Sequence, residues 1–209
     1  MRGTRRAQAG FTLLELVVVV AIVGVVAGLA APQIGDALAD NKAARLQLDV
    51  VRLARQARAR SAGQGRAHVL YFIPTPNNGL GQMEIWQGVS NRCNGTDWGA
   101  LGVGGAPGAC AANAFCWDAI NPLQYGSGSN TYRIGSVPAG PLQICFEPDG
   151  RTLHRGTSAQ VWSATNLSPS GANIAGAFTF NVTRLVAGSP HGVARRVLLP
   201  LGGDPRVIR

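Results

Sequence analysis

Acidic residues are scarce in this chain. Ten Asp and Glu stand against 19 Lys and Arg in 209 residues, a formal net charge of +9, and charged residues of both signs reach only 14%. A chain so basic and so sparsely charged looks more like an exported protein than a cytosolic enzyme. Histidine is scarcer still: only His68, His154 and His191 occur, and they are scattered. There is no GxSxG or HExxH, and the glycine-rich stretch from Gly102 to Gly108 lacks the Lys-Ser/Thr of a phosphate loop. The carboxylates past residue 63 are Glu84, Asp97, Asp118, Glu147, Asp149 and Asp204, and they show no paired spacing suited to acid/base work. Cys93, Cys110, Cys116 and Cys145 include no CxxC pair and no adjacent His, which argues against zinc. These absences exclude the familiar catalytic constellations, and we expect no enzyme, no metal and no cofactor.

Only one long hydrophobic run is present, which excludes a polytopic membrane protein. A 46% apolar content and a mean hydropathy of +0.10 exclude a disordered chain. The run follows a basic flank, Met1 to Gly10, carrying Arg2, Arg5 and Arg6, as expected of a cytoplasmic end. Phe11 opens it, and from Leu16 to Gly35 no side chain is charged. As helix, the roughly 24 residues from Phe11 to Ile34 rise about 36 Å, enough to cross a hydrocarbon core of about 30 Å. Glu15 interrupts the run, although an ionised carboxylate there costs at least about 2.5 kcal/mol and needs a partner. Cutting at the Gly10-Phe11 boundary would create an α-amino group four residues before Glu15. An ordinary signal peptide cut near Ala30, at Gly28-Leu29-Ala30, is the alternative, and an acid at Glu15 suits it badly.

Gly10-Phe11-Thr12-Leu13-Leu14-Glu15-Leu16, followed by Val17 to Ala31 and Pro32, resembles the N-terminus of type IV prepilins and type II secretion pseudopilins. The resemblance implies that a membrane prepilin peptidase removes residues 1–10 after Gly10 and methylates the amine of Phe11. It further implies that Glu15 pairs with the Phe11 amine of a neighbouring pilin or pseudopilin subunit, the partner its burial in lipid demands. The implied location is the bacterial inner membrane, crossed once by residues 11–34, with a periplasmic head that later joins a fibre.

Past Pro32, which can kink the helix, residues 35–62 turn amphipathic. Leu46, Val50, Leu53 and Ala57, with Ala39 and Ala43, make one apolar stripe. Arg45, Arg52, Arg55 and Arg58 lie opposite, and Asp49 is spaced to pair with Arg45 and Arg52. The arginine face reads as solvated or as a subunit contact more readily than as a nucleic-acid site. Gly63 and Gly65 end a helix that would be about 78 Å long from Phe11.

Residues 63–209 suffice for a head with its own core. Strands are expected at Ala67 to Ile73, Met83 to Trp86, Leu142 to Glu147, Arg151 to His154, around Phe178 to Val182, at Ala194 to Leu199 and at Arg206 to Ile208. Pro148-Asp149-Gly150 marks a hairpin turn, and Phe178, Phe180 and Val182 alternate with polar residues. The fold class is therefore α+β: a long N-terminal helix packed on a mostly antiparallel sheet, single or split in two, as in pilins. Residues 88–130 read as a long surface loop holding three of the cysteines. Four cysteines in an oxidising compartment allow three pairings, and the favoured one joins Cys93 to Cys110 and Cys116 to Cys145. Phe146-Glu147-Pro148-Asp149-Gly150 resembles the Phe-x-Pro-x-Gly hairpin of H-type pseudopilins and FimT-like minor pilins. Arg206-Val207-Ile208-Arg209 resembles the C-terminal Gly-Arg-x-Arg motif of FimT-like proteins, although Asp204 and Pro205 separate Gly203 from Arg206.

Two functions follow. One is a minor subunit that initiates or caps a type IV pilus or a type II secretion pseudopilus. The other adds capture of double-stranded DNA, for which Arg184, Arg195, Arg196, Arg206 and Arg209 crowd the last 26 residues against Asp204 alone.

Overall fold

A computed structural model describes residues 12–103, 110, 113–157, 160–164 and 176–208, with the side chains of 30–33 excepted. The leader, Gly10, Phe11, Arg209 and the side chain of Pro32 lie outside the described residues. Helix α1 (Leu13–Gln64) runs 52 residues. Strands follow at β1 (His68–Ile73), β2 (Gln82–Gln87), β3 (Cys116–Ile120), β4 (Asn130–Val137), β5 (Leu142–Phe146), β6 (Thr152–Arg155), β7 (Ala177–Val186), β8 (Ser189–Pro200) and β9 (Arg206–Ile208). The chain divides after Ala39 into two compact units. The first contains the apolar beginning of α1, and the second contains the rest of the helix and every strand.

Within the second unit the expected sheet is split in two, both parts antiparallel. One has the order β3-β2-β1-β5-β6 and the other β4-β7-β8-β9. The apolar stripe of α1 explains the arrangement: Ala43, Leu46, Val50, Leu53 and Ala57 pack with Leu70, Phe72, Ile144, Phe146, Phe178, Phe180, Val182 and Val197 from both sheets. The helix continues two residues past Ala62, through Gly63. It stops at Gly65, whose φ of +66° suits a residue without Cβ and whose N–H caps the Ser61 carbonyl at 3.1 Å.

The first sheet is covered on both faces, which is why β1 reads as a continuous apolar run instead of an alternation. Leu70 and Phe72 face the helix side, while Val69 and Tyr71 face a second cluster containing Trp86, Trp98, Val103 and Cys145. Among the described residues of 88–130, parts are therefore built into the head and are not surface loop. Trp98 is 1% exposed and donates its indole N–H to the Cys93 carbonyl at 2.7 Å, and β3 pairs with β2 inside the same segment. The favoured disulfide pairing is corrected as well: Cys93 joins Cys145, and Cys110 joins Cys116. Cys145 lies on β5 facing the second cluster, where Cys93 packs, whereas Cys110 and Cys116 close a small loop before β3.

Candidate functional site

Glu15 stands in the first turn of α1. Its backbone N–H donates to Thr12 Oγ1 at 3.2 Å, so Thr12 caps the helix, and Thr12-x-x-Glu15 has the spacing of a capping box. The carboxylate thus sits at the positive end of the helix dipole. Beyond it Leu13, Leu16, Val20, Val23, Val26 and Leu29 are all more than half exposed. An apolar helical stretch of this length with none of its surface covered is a membrane-anchoring segment, and it is the one such span among the described residues.

The arginines of α1 are not simply solvated. Arg52 bridges Asp49 (3.1 Å) and Asp118 (2.8 Å), and the other oxygen of Asp49 accepts the Tyr125 hydroxyl at 2.6 Å. Asp49 therefore takes Arg52 and Tyr125 in place of the expected Arg45. Arg55 donates to the Pro205 carbonyl at 3.3 Å. Arg58 donates to the Gly203, Pro200 and Leu201 carbonyls while its guanidinium lies 5.2 Å over the Phe146 ring. Two arginines of this face thus fasten the β8–β9 connection to the helix. Burial pushes the Arg58 pKa down, opposed by Asp204.

The C-terminal arginines do not form one set. Successive strand residues point to opposite faces, so the neighbours Arg195 and Arg196 part company. Arg195 turns toward α1 and donates to the Asp40 carbonyl at 3.4 Å. Arg184 is also turned inward, donating to Asn130 Oδ1 at 2.8 Å with Asp40 3.9 Å away. Arg196 and Arg206 are exposed on the outer face of the second sheet, where the register pairs Arg196 with Ile208 and Leu198 with Arg206. The two are therefore diagonal neighbours, within reach of one another. Arg133 on β4 joins that face beyond Thr179, Asn181 and Thr183 of β7. No carboxylate occupies an outward position on these four strands. Arg133 was missing from the sequence reading, although its place between Tyr132 and Ile134, both buried, marks it as outward.

In the β5–β6 hairpin Gly150 takes a φ of +88°, which the Pro-Asp-Gly turn requires. Glu147 there is buried. Its carboxylate accepts the Cys93 backbone N–H (2.9 Å) and Arg92 (2.9 Å), tying residues 92–93 to the hairpin. Asp149 also takes Arg92, at 2.6 Å. The Arg151 backbone N–H is the first cause holding its carboxyl below the usual range, and Arg92 adds to it.

Residues 5–31 match the model of the prokaryotic N-terminal methylation motif. This motif is characteristic of the type IV pilin and pseudopilin superfamily. It spans the end of the basic flank from Arg5, the Gly10-Phe11 boundary, Glu15 and most of the apolar run, and the α+β fold behind it is pilin-like. A methylation motif of this kind implies prepilin-peptidase processing and assembly between subunits. No curated protein and no solved structure matches the chain. Among the described residues, no three of His, Cys, Asp and Glu are grouped to hold a metal ion.

Proposed function

We propose that the protein is a minor pilin or pseudopilin subunit that enters a type IV pilus or a type II secretion pseudopilus through its N-terminal helix, at an initiating or tip position. The observation that carries this reading is Glu15, an acid in the first turn of an uncovered apolar helix inside a methylation motif. In lipid that carboxylate is tolerable only with a cationic partner, and the Phe11 amine of the next subunit, freed by cleavage after Gly10, supplies one. The test is Glu15→Ala: the variant inserts and is cut to begin at Phe11, yet is missing from sheared filaments. Normal incorporation overturns the pairing, and a mature chain starting near Ala31 overturns the whole reading.

A second reading, DNA capture for uptake, is favoured by the acid-free outer face carrying Arg133, Arg196 and Arg206. Contacts to phosphate need no base readout, and log affinity falls by about 0.9 per phosphate neutralised as log salt rises. Duplex binding at low salt should weaken strongly in Arg133→Gln/Arg196→Gln/Arg206→Gln, with a shallower salt slope. Arg195→Gln, on the other face, should change little. A duplex titration showing no binding, or binding untouched by the triple substitution, leaves the structural role alone.

A further inference from the structure

The outward positions of β4, β7, β8 and β9 make one open sheet face, and three arginines cross it in a row. The register sets their places: Arg133 stands opposite Thr183, Asn181 opposite Arg196, and Leu198 opposite Arg206. Thr183 and Asn181 are consecutive outward residues of β7, as Arg196 and Leu198 are of β8. Each move from one arginine to the next across the strands is therefore also a shift of two residues along them, always in the same direction. With strands about 4.8 Å apart and about 3.4 Å per residue, Arg196 lies about 12 Å from Arg133 and Arg206 about 8 Å further on, roughly 20 Å end to end between Cα atoms. All three arginines are exposed, and none takes part in an ion pair among the described residues. Asp204, the carboxylate nearest to Arg206 in sequence, lies 3.9 Å from Arg58. Asn181, between Arg133 and Arg196, has its Oδ1 covered and unbonded among the described residues, which leaves the amide nitrogen as its outward end.

We propose that this row holds one sugar–phosphate strand, which makes single-stranded DNA the nucleic acid that meets all three arginines at once. The proposal rests on the nucleic-acid reading of this face and changes what the face takes. Duplex DNA rises about 3.4 Å per base pair and turns once in about 10.5, so over about 20 Å each of its strands winds through more than half a turn. A duplex strand that starts on Arg133 has left the sheet before Arg206. A flexible single strand stays on the face along the whole diagonal, its phosphates on the guanidiniums, with the Thr183 hydroxyl and the Asn181 amide donating between them. None of the outward residues of the four strands is aromatic, so the bases have nothing to stack on and the backbone alone is held. The strand is taken without regard to its base composition.

The test uses the full chain in a zwitterionic detergent and the fluorescence anisotropy of labelled dodecamers: oligothymidylate, a mixed-sequence single strand, and that strand annealed to its complement. Unlabelled strand and a sulfated polysaccharide of similar length serve as competitors. Both single strands should bind alike, and at least as tightly as the duplex. Arg133→Gln, Arg196→Gln and Arg206→Gln should each weaken single-strand binding about threefold, the worth of one exposed ion pair. Each should also make the slope of log affinity against log salt shallower by about 0.7. The melting temperature should not move, since all three side chains are exposed. If the duplex binds more tightly than the single strand, the single-strand assignment falls while duplex capture stands. If neither form binds, both fall. Single-strand binding untouched by Arg133→Gln or by Arg206→Gln overturns the row, and a polysaccharide that competes better than the unlabelled strand assigns it to another polyanion.

Discussion

His68 and Glu84 are sealed inside neighbouring strands, and they couple stability to pH with opposite signs. The ring of His68 is fully buried, with Nδ1 donating to the Arg66 carbonyl at 3.0 Å and Nε2 buried without a hydrogen-bond partner among the described residues. Burial lowers its pKa from the ordinary 6.5. Below about 6.5 the unfolded chain takes a proton that the native state resists, so His68 removes stability as pH falls. Glu84 accepts Gln82 Nε2 (2.7 Å) and Trp86 Nε1 (2.8 Å), yet burial raises its pKa from 4.5. Above about 4.5 the unfolded chain releases a proton that the native state keeps, so Glu84 removes stability as pH rises. Urea unfolding between pH 4.5 and 7 should show His68→Phe gaining on the parent as pH falls and Glu84→Gln gaining as pH rises. A flat difference for either variant refutes that group's share. Residues of this kind cannot be picked out from sequence, since only the covering of the strand decides their charge. Glu15 could be picked out, because it is the one acid in an apolar run.

At the scale of elements, legibility followed how much of each element's pattern is local. The β5–β6 hairpin announced itself through Pro148-Asp149-Gly150, and β7 through its alternation. Its partner β8 begins at Ser189, five residues before the expected Ala194, because the Ala187-Gly188 turn sets the register from Val186 and Ser189 onward. Strand β3 gave no signal: its five residues follow a stretch of Gly, Ala and Asn, and they are a strand only because β2 offers an edge. The pairing of the cysteines was equally hidden, since it depends on where β5 places Cys145. The observed pairing makes the two disulfides unequal. They span 52 and 6 residues, and the loop-entropy estimate is about 4 kcal/mol for the longer and about 2 kcal/mol for the shorter. Cys93→Ser/Cys145→Ser should therefore lower stability in urea about twice as much as Cys110→Ser/Cys116→Ser. Equal losses would refute this ranking.

For the whole molecule, the division after Ala39 matters most. Every strand, both disulfides and both hydrophobic clusters belong to residues 40–209. A chain beginning at Asp40 should therefore dissolve without detergent and melt in one cooperative transition by circular dichroism. Aggregation, or a gradual melt, would mean that the apolar beginning of α1 is needed for the head to fold. The overall architecture was legible because a 52-residue helix with one apolar stripe leaves the rest of the chain few ways to cover it. The basic face was misread because neighbouring arginines on a strand look like a cluster in sequence and are separated by the sheet in space.

The strand order also sets a timetable. In a chain delivered N-terminus first, all five strands of the β3-β2-β1-β5-β6 sheet, and both ends of the Cys93–Cys145 bridge, are present once Arg155 has emerged. Strand β4 has emerged too, but β7, its one ladder partner among the described strands, does not begin until Ala177. For that interval β4 is an unpaired strand open to pairing with the wrong chain. Arg133 stands in its middle, where a charge discourages such pairing.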